Sequence, residues 1–119
     1  MNESVDAINT FLVPAIKSLA DAEYQKRVWL LQEGTEVDSY EESLEIFFGV
    51  YELLYESSEM EKLSAPLRKE LHELYALVDA FDDSVSQESE ENLEKILEHP
   101  KWKEIQKKSE ELLVKCLAV

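Results

Sequence analysis

The sequence predicts an all-α protein, a single-domain bundle of five to six mostly antiparallel helices over residues 1–119. Apolar residues recur at three- and four-residue steps along most of the chain, which is the period of an amphipathic helix. The chain has only two glycines and three prolines, which argues against a turn-rich β architecture. No stretch alternates between apolar and polar residues with β-branched enrichment, so strand signals are absent.

The first third of the chain predicts two helices. The first covers Ser4–Ala20, and Pro14 either kinks it or divides it into two short helices that meet at Val13. The reason is that proline lacks a backbone N–H and clashes with the preceding turn. Asp21 is expected to cap the second helix, which ends before Gly34.

The segment Ser39–Ser57 predicts the central helix of the bundle. Ser39 and Glu42 have the spacing of a capping box, in which each side chain accepts a hydrogen bond from the other residue's N–H. Gly49 inside this helix costs about 1 kcal/mol relative to alanine, so either a neighbour approaches closely there or the residue is a neutral accident. Apolar residues cover so much of the helix that we expect it to pack on more than one side. Little is then left for solvent besides four glutamates: Glu41, Glu45, Glu52 and Glu56.

Three more helices are predicted in the second half of the chain. The fourth helix has Ser64 as its cap and Pro66 in its first turn, and it ends at Asp82–Ser84. A short fifth helix closes at His99, and Pro100 opens the last helix. Each of these three helices carries an apolar stripe at helical spacing, so each is expected to bury one face.

The charge of the chain is strongly negative and unevenly distributed. It has 27 acidic against 12 basic residues, a net charge of −15. Residues 28–61 contain ten acids and no lysine or arginine, and residues 70–94 contain nine acids and again neither base. Such a field repels nucleic acid and anionic lipid and attracts a basic protein surface. The alternative is that the acids only keep the domain soluble.

The residue patterns of catalysis and cofactor binding are absent from the sequence. It has no Gly-rich phosphate loop, zinc-ligand spacing or nucleophile elbow. Neither His72 nor His99 has a glutamate three residues before it, as di-metal bundles require. We therefore expect no enzymatic activity, no cofactor and no bound metal. Close acid pairs such as Asp79 with Asp82 leave a carboxylate metal site as an alternative.

The sequence also predicts where the protein resides. Its N-terminus is acidic and lacks the basic start and apolar centre of a secretory signal. No apolar run approaches the roughly 20 residues needed to cross a bilayer. We expect a cytoplasmic protein, and the single cysteine, Cys116, fits this as a buried thiol.

The larger aromatic residues are assigned to the core. Stacking on nucleic-acid bases requires basic neighbours, whereas most of these side chains are flanked by glutamates. The residues concerned are Trp29, Tyr40, Tyr51, Tyr55, Tyr75 and Trp102.

Three short stretches carry a resemblance. They are Arg27-Val28-Trp29, then Glu33-Gly34-x-Glu36-Val37-Asp38-Ser39-Tyr40-Glu41-Glu42, and Phe47-Phe48. Here the sequence resembles a group of short, acidic, helical bacterial proteins of unassigned role. More loosely, the whole chain resembles helical immunity proteins that neutralise nuclease toxins. The resemblance implies an inhibitor that presents carboxylates to a basic catalytic cleft, and it assigns no role to an individual residue.

Charge and resemblance together predict a protein-binding domain that masks a basic partner, with a nuclease toxin as the favoured partner. Two alternatives are a carboxylate metal or small-ligand site inside the bundle, and a self-associating structural domain that forms a homo-oligomer. The residues expected to contact the basic partner are all acidic: Glu36, Asp38, Glu41, Glu45, Asp79, Asp82 and Asp83.

Overall fold

The computed structural model describes residues 8–32, 39–85 and 93–117, and these ranges form an all-α helical bundle without a strand. The fold class predicted from the sequence is thereby confirmed. No helix within the described ranges is long and apolar enough to span a membrane. In chain order the elements are a π-helical segment Ile8–Leu12, α1 (Val13–Ala20), α2 (Ala22–Tyr24), a second π-helical segment Gln25–Leu30, α3 (Tyr40–Glu56), a 3-10 turn Glu59–Lys62, α4 (Ala65–Val85), α5 (Leu93–Glu98) and α6 (Pro100–Leu117).

Three helices begin where the sequence places their caps. The side-chain oxygens of Asp21, Ser39 and Ser64 each accept a hydrogen bond from the backbone N–H three residues later, at 3.0, 3.1 and 3.3 Å. Each bond satisfies one of the donors that a helix N-terminus leaves without an intrahelical partner. The starts of α2, α3 and α4 are therefore determined locally.

The N-terminal helix consists of two segments that meet at Val13, one of the two arrangements predicted. Residues Ile8–Leu12 are π-helical and α1 is α-helical from Val13. Pro14 has no N–H to donate to the carbonyl four residues earlier, so one α-helical hydrogen bond is missing where the two segments meet. The predicted start near Ser4 lies outside the described residues.

The core is centred on α6 rather than on α3. Helix α6 packs against α1, α4 and α5. Its Trp102 is fully buried, with its ring centroid 6.0 Å from Trp29, 5.5 Å from Tyr40 and 5.5 Å from Phe81. Aromatic pairs at such distances add about 0.5–1.5 kcal/mol each beyond the area they bury. Trp102 thus joins the second π-helical segment, α3 and α4.

The prediction that α3 leaves only four glutamates to solvent is wrong. Ile46 is 54 % exposed, Leu53 50 % and Tyr55 70 %. A methyl group added at Gly49 would meet no atom within 4 Å, so no neighbour approaches closely there. The helical period assigns residues to faces of the helix, but it does not predict how many of those faces pack against another helix. Helix α3 therefore carries a partly apolar outer surface.

A buried glutamine, which the sequence analysis missed, connects α1 to α6. The amide nitrogen of Gln25 donates to the carbonyls of Ser18 at 2.8 Å and Leu19 at 2.9 Å. Its amide oxygen accepts from the indole N–H of Trp102 at 2.9 Å and from Gln106 at 2.6 Å. The last carbonyls of a helix have no intrahelical donor, so Gln25 caps the end of α1 while it positions Trp102.

Candidate functional site

Helices α3 and α4 run antiparallel where their side chains meet. Tyr40 of α3 contacts Asp82, and Tyr51 contacts Tyr75 and His72. Residue numbers thus rise along α3 as they fall along α4. His72, Tyr75, Asp79 and Asp82 are spaced by three or four residues, so they lie on one side of α4. We call the surface along this contact the α3/α4 strip, formed by Tyr40, Phe48, Tyr51, Tyr55, His72, Tyr75, Asp79 and Asp82.

One end of the strip is formed by Tyr40 and Asp82, with Glu41 beside them. The Tyr40 hydroxyl donates to Asp82 Oδ1 at 3.1 Å, and the Tyr40 side chain is buried. Burial raises the pKa of Tyr40 far above its ordinary value, and the negative charges of Asp82 and Glu41 raise it further. The hydroxyl therefore stays protonated and remains a donor to Asp82. Glu41 belongs to the acidic segment of residues 28–61 and Asp82 to the acidic segment of residues 70–94. The two acidic segments therefore meet here.

The structure places most of the predicted contact acids beside this end of the strip. Glu41 and Glu45 are exposed and lie one turn apart on α3. On α4, Asp79 and Asp83 are exposed and Asp82 is half-buried. The remaining two predicted acids, Glu36 and Asp38, lie outside the described residues. Five of the predicted acids thus belong to two neighbouring helix segments.

Charge is segregated between the two sides of α4. On the side that faces α6, Lys115 Nζ lies 2.7 Å from Glu70 Oε1 and Lys108 Nζ lies 3.4 Å from Glu73 Oε1. The hydrogen bond that Lys115 donates to Glu70 raises the pKa of Lys115 above its ordinary value. Lysines of α6 therefore offset the charge of the acids on that side. Asp79 and Asp82 lie on the other side of α4, toward α3. Helix α3 lies within residues 28–61, which contain no lysine or arginine. The negative field is concentrated along α3 and its edge with α4.

The middle of the strip is aromatic. The rings of Tyr51 and Tyr75 stack with centroids 4.2 Å apart, and Phe48 meets Tyr75 edge-on at 5.4 Å. The ring centroid of Tyr51 also lies 6.4 Å from that of Tyr55, and the Tyr51 hydroxyl lies 2.8 Å from His72 Nδ1. Burial raises the pKa of Tyr51, with smaller contributions from Tyr55 and Tyr75.

The assignment of every large aromatic residue to the core is therefore only partly right. Trp29, Tyr40 and Trp102 are buried, but Tyr51 and Tyr75 are half-exposed and Tyr55 is mostly in solvent. For Tyr51 and Tyr55, the signal that could have identified their exposure is their position on α3 next to the row of glutamates; Tyr75 lies on α4. Tyrosine tolerates such a boundary because it combines an apolar ring with a polar hydroxyl.

Within residues 8–32, 39–85 and 93–117, no three histidine, cysteine or acidic side chains are grouped so that they could hold a metal ion. Cys116 is buried as expected, and burial raises the pKa of its thiol, which disfavours the reactive thiolate. An open depression of about 790 Å³ beside α1 and α2 is lined by charges of both signs. These include Lys17, Asp21, Glu23, Lys26 and Arg27.

Comparisons of the chain with protein-family models, with curated proteins and with solved structures find no match. The resemblance to nuclease-toxin immunity proteins therefore stays a prediction.

Proposed function

We propose that this protein binds and masks a basic protein surface with the acids at the Tyr40 end of the α3/α4 strip. The favoured partner is a nuclease toxin, so the protein acts as a cytoplasmic immunity protein and not as an enzyme. The observation that carries the proposal is the hydrogen bond from Tyr40 to Asp82, beside Glu41. It joins two sequence segments that contain acids and no lysine or arginine.

The geometry fixes the position of one of these acids, Asp82. Tyr40 is held by the buried rings of Trp29 and Trp102, and its hydroxyl in turn holds Asp82. Carboxylates on two packed helices lose less conformational freedom on binding than carboxylates on a loop. The Tyr40 end of the strip can therefore present negative charge to a partner without reorganisation.

Masking follows from the chemistry of nucleic-acid binding. A nuclease binds the phosphate backbone through lysine and arginine side chains, so its cleft is basic. Carboxylates that occupy the same cationic groups exclude the phosphates. Opposite long-range fields also accelerate encounter, and they make the association rate fall as salt is added.

The test compares two charge-reversal variants that have the same net charge. In Glu45→Lys/Asp79→Lys one reversal lies beside the strip and the other within it. In Glu98→Lys/Glu110→Lys they lie on α5 and α6. All four side chains are exposed, so we expect both variants to fold. Each tagged protein is used to capture partners from its own cell extract at low salt, and bound proteins are released with about 0.5 M salt, where screening acts within a few ångströms.

We expect the wild-type protein and the α5/α6 variant to capture the same basic protein, which the salt wash releases and which mass spectrometry identifies. The strip variant should capture much less of it. Purified partner should then lose nuclease activity when the wild-type protein is added. Equal capture by all three proteins would contradict the proposal, and so would equal loss in both variants, because net charge alone would then decide binding.

A further inference from the structure

The acids of α3 lie between two apolar edges. Glu45, Glu52 and Glu56 are exposed and recur at steps of seven and four residues, so they share one face of the helix. On the α4 side this row is bordered by the aromatic residues of the strip. On the other side it is bordered by Ile46 and Leu53, which are 54 % and 50 % exposed. Exposed apolar side chains that lie together and are rimmed by polar residues are typical of an interaction surface.

Tyr55 is the most exposed of the large apolar residues on α3. It is 70 % exposed, and its ring stacks on Tyr51, which in turn stacks on Tyr75. The Tyr55 side chain is thus mostly in solvent, with Glu52 three residues before it on the helix surface and Glu56 one turn beyond Glu52. A rigid ring beside carboxylates is a suitable platform for a cation that also carries apolar or planar surface.

A second copy of this chain is a poor occupant of this surface. A two-fold dimer through α3 would place the row of glutamates against the same row of its partner. Like charges facing each other across an interface oppose association. Charge complementarity instead selects a basic partner.

Arginine suits this surface better than lysine does. Its planar guanidinium can stack on a tyrosine ring and donate two parallel hydrogen bonds to a neighbouring carboxylate, whereas lysine acts as a compact, strongly hydrated charge. The protein contains one such contact of its own, because the guanidinium carbon of Arg27 lies 6.0 Å from the centre of the Tyr24 ring.

We infer that the outer face of α3 recognises an arginine-rich segment of the basic partner, with Tyr55 as the ring on which an arginine stacks beside Glu52 and Glu56. The inference rests on the proposed function and adds the chemical identity of the partner's cations. It also assigns a role to an exposed tyrosine that charge alone leaves unexplained.

The experiment uses two synthetic peptides that differ only in having arginine or lysine at every basic position. Each is titrated calorimetrically into the full-length protein at about 0.15 M salt, where distant charges are screened. The variants are Tyr55→Ala and Tyr55→Phe, and Val114→Ala is the control because Val114 is 62 % exposed on α6. Circular dichroism checks that each variant is folded.

We expect the arginine peptide to bind more tightly than the lysine peptide. Tyr55→Ala should weaken binding of the arginine peptide roughly 2- to 5-fold, the size of an exposed cation–π contact, and should leave the lysine peptide nearly unaffected. Tyr55→Phe should retain the preference, since it keeps the ring, and Val114→Ala should change neither affinity.

Three results would contradict these claims in different ways. Equal affinities for the two peptides, both reduced by Glu45→Lys/Asp79→Lys, would overturn the arginine inference and leave acidic masking intact. An arginine preference that survives Tyr55→Ala would also overturn it, because the ring would then play no part. Binding that is unchanged in Glu45→Lys/Asp79→Lys, or absent for both peptides, would overturn the proposed function as well.

Discussion

Replacing Tyr40 with phenylalanine removes the hydrogen bond to Asp82, which joins the acidic segments of residues 28–61 and 70–94. The ring would keep its place against Trp29 and Trp102, so the variant isolates the hydroxyl and its 3.1 Å hydrogen bond to Asp82. A hydrogen bond to a charged group contributes about 1.5–3 kcal/mol. Asp82 is only half-buried, so water can partly replace the lost donor. We therefore expect Tyr40→Phe to lower the free energy of unfolding by about 1–2 kcal/mol at pH 7.

The same hydroxyl gives this difference a defined pH dependence. In the folded protein the pKa of Tyr40 is raised above its ordinary value of 10.0, so in the unfolded chain the hydroxyl releases its proton at a lower pH. Its contribution is fully present below pH 10 and is lost as pH rises, at about 1.4 kcal/mol per pH unit. The wild-type protein should therefore lose its advantage over Tyr40→Phe near about pH 11.

Urea unfolding followed by tryptophan fluorescence measures both effects, since Trp29 and Trp102 lie in the core beside Tyr40. Tyr55→Phe is the matched control, because it also removes one tyrosine hydroxyl, from an exposed position, and should shift stability by less than about 0.5 kcal/mol. The reasoning would be refuted if Tyr40→Phe were as stable as wild type at pH 7, or if the two proteins lost stability in parallel above pH 10.

Two further substitutions test the packing. Gly49→Ala should raise the free energy of unfolding by about 0.5–1 kcal/mol, because the added methyl group meets nothing within 4 Å and alanine favours the helix. A lower free energy of unfolding, measured with urea, would show that α3 has a neighbour there. Gln25→Ala should lower it by roughly 3–5 kcal/mol, since the indole N–H of Trp102 and the carbonyls of Ser18 and Leu19 lose their partner. A loss below about 1 kcal/mol in the same assay would mean that this network is dispensable.

Local chemistry explains the parts of the fold that the sequence predicted. Asp21, Ser39 and Ser64 cap their helices through bonds that span three residues, so the information lies within one turn. The choice of central helix failed because it depends on distant contacts. The Gln25–Trp102 bond spans 77 residues, and no periodicity in one segment indicates which other segment covers it.

The candidate site, too, could be predicted from the sequence only where it depends on local features. The acids could be selected because a segment without lysine or arginine is visible in the sequence itself. Their meeting at Tyr40 could not be predicted, since the partner, Asp82, lies 42 residues away. The exposed tyrosines were misassigned because helical spacing alone does not distinguish a buried flank from one at the boundary with solvent. Their exposure became visible only once α4 was placed beside α3.

The most direct test of the central claim is a map of where a cationic chain binds. Amide chemical shifts of the nitrogen-15-labelled protein are recorded while the arginine peptide is added. We expect the largest shifts to fall on residues 40–56 and 72–83, and to be reduced in Glu45→Lys/Asp79→Lys. Shifts concentrated on α6, or spread evenly over the bundle, would contradict the claim that the α3/α4 strip is the binding surface.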